Sequence, residues 1–139
     1  MTARRKIVKT RRSEARLYLA KAQQFCAEAA TAILSSRNDA ALLNAVHAAI
    51  SAADAVCVAL GGQRSADPDH QRAADLLQEI GGRSTDVSSQ VRRLRQLLTK
   101  KNAVEYESRL ASAKEATGAV QKAERFVAWA NQTINAARL

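Results

Sequence analysis

NDAALLNAVHAAISAADAVCVALGG, residues 38–62, decides the fold. Asn38 and Asp39 are residue types that start helices, and Gly61 and Gly62 are types that stop them. Between them Leu42, Val46, Ala49, Ala53, Val56 and Leu60 recur at three- and four-residue steps, and Leu43, Ile50 and Cys57 form a second stripe. So wide an apolar surface predicts a central helix covered from more than one side. After the first turn its only polar residues are Asn44, His47, Ser51 and Asp54, all on one face. One reading places His47, Ser51 and Asp54 in a pocket or on a contact between two chains. The other leaves that face to water, as amphipathic helices routinely do. A Ser-His-Asp triad fits poorly, because side chains one turn apart on one helix point the same way and the base cannot reach across to the hydroxyl.

Working outward, the flanking segments also read as helices. Upstream, Ser13 and Glu14 open a helix carrying Ala15, Tyr18, Ala22, Phe25, Ala29 and Ile33, ending near Ser36. Downstream, DPDHQRAADLLQEIGG predicts a short helix with Asp67 as cap, Pro68 at its first position and Gly81 as stop. His70 falls in its first turn, where the positive end of the helix dipole favours a neutral imidazole. A fourth helix starts near Ser84 to Asp86. It turns Val87, Val91, Leu94 and Leu98 inward and sets Arg92, Arg95, Thr99 and Asn102, extended by Tyr106, on the opposite line. Residues 108–112 read as a joint. Ser112 with Glu115 has capping-box spacing for a long last helix with Ala113, Ala116, Val120, Ala123, Val127, Ala130, Ile134 and Ala137 inside. Phe126 and Trp129 lie off that stripe and are candidates for a partner interface, or for packing against the first helix.

The 139 residues are 47% apolar but only 4% aromatic, with one proline, which favours packed helices over strands. The expected fold is all-α: an up-and-down bundle of four to five helices over residues 13–139, preceded by a basic N-terminal arm at 1–12. The net charge of +9 is concentrated in two places. Residues 1–12 carry +6 and residues 83–101 carry +5, leaving the remainder at −2. Such local basic features point to phosphate or to an acidic protein face, or else to a disordered start and a solvated arginine face. Arg92, Arg93, Arg95, Lys100 and Lys101 are the candidate phosphate-binding residues. The arm would add charge and fold, if at all, on binding.

No apolar run of about 18 residues and no secretory signal is read in the sequence, so the chain is expected in the cytoplasm, away from membranes. Cys26 and Cys57 read as small core residues. With His47 and His70 they show no paired metal-ligand spacing, so no metal or other cofactor is expected.

AVHAAISAADAVCVAL, then Gly62-x-Arg64, then DPDHQRAADLL, LLTKKNAVEYE and EATGAVQKAERFVAW, in that order and spacing, resemble the HEPN superfamily of small helical bundles over about residues 13–136. The resemblance implies a homodimer, and in many members a metal-independent ribonuclease. Their active residues are an arginine, often followed by asparagine, and a histidine four to six residues on, in the fourth helix. The matching positions here are Lys101 and Asn102, then Glu105 and Tyr106. Lysine replaces the arginine and glutamate stands where the histidine would be, although cleavage wants a group that exchanges protons near neutrality. Arg64 and His70 have the family's spacing, but they straddle Pro68 in the connection between helices two and three and read as coincidence. The resulting expectation is a non-catalytic HEPN-like module. It would bind RNA, nucleotide phosphate or a partner protein, such as an antitoxin or nucleotidyltransferase, in a toxin-antitoxin or defence setting. Two alternatives stand beside it: an enzyme with a divergent site at Asn102, Glu105 and Tyr106, and a structural adaptor.

Overall fold

The computed structural model describes residues 6–139. Strand β1 (Ile7–Lys9) leads through a 3-10 turn at Arg12–Glu14 into α1 (Ala15–Leu34) and α2 (Asn38–Gly61). Strand β2 (Gln63–Ser65) follows, then α3 (Gln71–Gly81), α4 (Thr85–Tyr106) and α5 (Ala113–Ala136). Helix α2 is the core. Thirteen of its 24 residues are buried, and α1, α3, α4 and α5 all pack on it. Most of those thirteen are alanines, which let neighbouring backbones come close while Leu42, Val46, Val56 and Val58 fill the space between. By length and composition α2 would pass for a membrane span, a feature the reading of apolar runs missed. Its apolar surface is instead spent on the other helices, 67% of the most apolar window being buried inside the bundle.

The bundle is all-α apart from one ribbon. β1 pairs antiparallel with β2, Ile7 opposite Ser65, Val8 opposite Arg64 and Lys9 opposite Gln63. Arg12 adds a 2.6 Å hydrogen bond from Nε to the carbonyl of Ala59. The second half of the expected N-terminal arm is therefore part of the domain, and residues 1–5 lie outside the described residues. The left-handed backbone at Gly62, φ +63°, turns the chain from α2 into the ribbon.

Two expected caps do other work. Asn38 Nδ2 donates to the carbonyl of Ala111 at 3.3 Å, and Asp39 Oδ1 accepts from the Ala111 amide at 2.7 Å. These residues clamp the α4–α5 joint to the start of α2 and leave α2 without a side-chain cap. Helix α3 starts later than expected. Asp67 accepts from the Asp69 amide at 2.9 Å and Asp69 from the Gln71 amide at 3.0 Å, two successive turns that bond the backbone locally before helix can form. His70 becomes the N-cap residue. The fourth helix starts where expected, with Ser84 accepting from the Val87 amide as its cap, and Ser112 with Glu115 forms the expected capping box.

Candidate nucleic-acid interface

The short connection through Gly82 and Ser84 makes α3 and α4 antiparallel neighbours, so the start of α3 returns to the second half of α4. Arg95 fixes the register. Its Nη1 donates to Gln71 Oε1 at 3.1 Å and its Nη2 to Asp75 Oδ1 at 2.6 Å, while Gln71 Nε2 donates to the carbonyl of Arg95 at 3.5 Å. Partial burial alone would raise the Asp75 pKa, but the Arg95 hydrogen bond and charge, with Arg72 behind them, outweigh it and hold the carboxyl below its ordinary value.

Beyond this clamp a cavity of about 160 Å³ opens between the two helices, lined by Pro68, Asp69, His70 and Gln71 from one side and Leu98, Lys101, Asn102 and Tyr106 from the other. The positions 98, 101, 102 and 106 are one helical face at three- and four-residue steps, which is why they line it together. Lys101 is largely enclosed, its side chain 17% exposed, and its Nζ lies 3.4 Å from Glu105 Oε1. Burial, and then the charges of Lys101 and His47, push the His70 pKa below its ordinary value against the weaker opposing pull of Asp69 and Glu105. The imidazole is therefore neutral at pH 7, ready to accept a proton.

Glutamate stands in α4 where the family has its histidine, but an imidazole reaches this part of α4 from the start of α3. His70 precedes α4 in sequence but shares a cavity with Lys101, Asn102 and Tyr106. Counting outward from the turn at Gly82–Ser84 sets His70 level with residues 96–98 of α4, about one turn short of Lys101, so the sequence carried only part of this signal.

The candidate phosphate residues do not converge. Lys101 belongs to the α3–α4 cavity and Lys100 to a groove of about 250 Å³ between α4 and α5, where its Nζ is 3.6 Å from Glu115. Arg95 is spent on Asp75, Arg93 donates to Gln90 Oε1 at 2.8 Å, and Arg92 is exposed. Glu115 itself is fully engaged. Hydrogen bonds from Arg109, then from the Ser112 amide, bring its pKa down to about 2.

The candidate interface residues divide in the same way. Phe126 is fully buried, so it is core and not a partner contact. Trp129 covers it with ring centroids 5.5 Å apart and donates from Nε1 to Asp86 Oδ2 at 3.0 Å, which ties α5 to the start of α4. On α2, His47 is exposed and packs its ring on Phe25 of α1 at 5.7 Å between centroids. Ser51 and Asp54 are half-buried further along the same face, and burial pushes the Asp54 carboxyl up to about 7 despite Arg64 and Lys21 nearby. That face is therefore not simply left to water. Cys57 is buried and Cys26 half-buried, both free thiols whose pKa burial raises. Among the described residues no group of three His, Cys, Asp or Glu side chains is placed to hold a metal ion.

A comparison against family models matches the HEPN domain to residues 15–133, which span all five helices almost to the end of α5. The chain belongs to the HEPN family. No curated protein matches it. In this HEPN domain the positions that resemble the family's active residues, Lys101 and Asn102, line the cavity and Glu105 pairs with Lys101 beside it. His70 arrives from another helix, and Tyr106, 81% exposed, forms the rim.

Proposed function

We propose that this HEPN domain binds the sugar-phosphate backbone of RNA in the cavity between α3 and α4. One observation carries the reading: the ammonium of Lys101, the imidazole of His70, the amide of Asn102 and the phenol of Tyr106 line a single cavity. Lys101 supplies the charge for a phosphate. Its partial enclosure strengthens that attraction relative to a fully solvated lysine. Asn102 and Tyr106 supply hydrogen-bonding groups for phosphate or ribose oxygens, and the net charge of +9 draws a polyanion to the surface. In this proposal the chain works as a homodimer in a toxin-antitoxin or defence setting, as its family likeness implies, and sedimentation at micromolar concentration tests the dimer.

The measurement is fluorescence anisotropy of a labelled single-stranded RNA. Lys101→Ala should weaken binding about tenfold, the loss of one charge-assisted hydrogen bond, and the salt slope should flatten by about one. Affinity unchanged by that substitution would place the contact elsewhere.

A second reading follows from the placement of His70. A neutral imidazole beside Lys101 is suited to take the proton of a ribose 2′-hydroxyl as that oxygen attacks the adjacent phosphorus. The 5′-oxygen then leaves with a proton from solvent, and Lys101 stabilises the charge that builds on the phosphate. This reading predicts metal-independent cleavage to 2′,3′-cyclic phosphate ends, abolished in His70→Ala. An RNA left intact by the wild-type chain in chelator would remove it.

A further inference from the structure

The polar line along α2, the helix on which α3 packs, is not absorbed by the cavity. His47 is exposed, and Ser51 and Asp54 follow at four and seven residues along the same face. Aromatic rings from α1 border that line. Phe25 meets the ring of His47 with an interplanar angle of 37°, and two turns away Tyr18 has Lys21 Nζ 5.5 Å and Arg64 Cζ 5.8 Å from its ring centroid. Beneath this second ring Arg64 Nε is buried with no hydrogen-bond partner.

We infer that the strip formed by Phe25, His47, Tyr18, Lys21 and Arg64 is a stacking track for the bases of a single-stranded RNA whose backbone enters the α3–α4 cavity. The inference rests on the proposed phosphate site and extends it. Rings spaced along a cationic strip are what sequence-tolerant binding of single strands uses: bases stack on the rings while cations follow the phosphates. A duplex keeps its bases inside and offers these rings nothing. Asp54 lies on the α2 face beside the strip, and because burial holds it largely protonated until near neutral pH it opposes a polyanion less than an ordinary carboxylate would.

The test compares labelled oligoadenylates of three and twelve residues, with inorganic polyphosphate as a probe that has charge and no bases. The variants are Phe25→Leu, which keeps apolar volume against the core, Tyr18→Leu, and His47→Ala at an exposed position. The twelve-mer should bind wild type at least about tenfold more tightly than the three-mer. Each variant should lose at least about fivefold for the twelve-mer, the low end for one stacked base, and stay within about twofold for the three-mer and for polyphosphate. Twelve-mer affinity within about twofold of wild type in all three variants overturns the track, as does a twelve-mer that fails to bind at 50 mM salt. The phosphate site fails separately: if Lys101→Ala and His70→Ala leave three-mer binding intact while the ring variants still weaken the twelve-mer, the track stands and the cavity does not.

Discussion

Along α4, residues 85–95 and residues 96–106 both carry basic side chains on the same helix, but they meet different surroundings. In the first part Asp86 receives the Trp129 indole, Arg93 is held by Gln90, and Arg95 is drawn onto Asp75 and Gln71. In the second part Asp69 and His70, just ahead of α3, line an open cavity with Lys101, whose ammonium pairs with Glu105 one turn along its own helix. Positive charge alone does not distinguish a binding residue from a structural one. What distinguishes them is how the charge is engaged: Arg95 is hydrogen-bonded to Asp75 and Gln71 across the helix pair and so holds α3 in register, whereas Lys101 pairs within its own helix with Glu105 and lines a cavity shared with His70.

The largest effect that can break this contrast lies under the structural part. Phe126→Ala should cost about 3–5 kcal/mol in denaturant unfolding, since a fully buried phenyl ring supports Trp129 over Asp86. A cost below about 1 kcal/mol would mean that this end of α4 is not clamped as described. Next, Arg95→Ala should lower stability by about 1–2 kcal/mol, because it strips a charged hydrogen bond from a half-buried carboxylate, and should weaken RNA binding less than Lys101→Ala does. The reverse order of affinities would show that the two parts of α4 have been assigned the wrong way round.

The smallest effect sharpens the contrast from α2. Asp54 has a folded pKa of about 7 against an ordinary 3.8, so the stability tied to its protonated form is fully present below pH 3.8 and is lost as pH rises through about 7. Asp54→Asn should therefore raise stability at pH 8 by on the order of 1 kcal/mol, after allowance for partial solvation, with a smaller change at pH 5. Equal gains at both pH values would mean that the carboxyl titrates in the ordinary range.

Which of these features could be read in advance follows from how local they are. The stripes of α2 and α5, the stop at Gly61 and Gly62, and the Ser112–Glu115 box depend on residues within a turn or two of one another, and the sequence states them directly. The β1–β2 ribbon joins residues more than fifty apart through three-residue strands, one of them containing two polar residues and an arginine, so no periodic signal marked it. Asn38 and Asp39 look like caps from their type alone, and only the returning α4–α5 joint turns them towards Ala111. Phe126 falls off the expected stripe by one position, which on a helix is still the buried side once Ala119, Ala123 and Ala130 pack closely beside it. The site was half visible. Lys101, Asn102 and Tyr106 lie on one helix at readable spacing, whereas His70 joins them through the antiparallel pairing of α3 with α4, a tertiary relation that spacing along either helix alone does not express.

The glycines at the far end of α3 bear on how freely that histidine can move. A methyl group on Gly61 would come within 2.8 Å of Ile80 Cδ1, and one on Gly81 within 2.9 Å of Val87 Cγ1, so the last turn of α3 is wedged between α2 and α4 with no slack on either side. His70 sits at the opposite end of this 11-residue rod, roughly 16 Å away. Any rocking of α3 therefore has its fulcrum at the glycines and its greatest travel at the imidazole: a tilt of about 5° would carry His70 about 1.4 Å, as far as the difference between a hydrogen bond and none. A single added methyl at Gly61 or Gly81 would then act as a shim, displacing the imidazole from the far end of the helix.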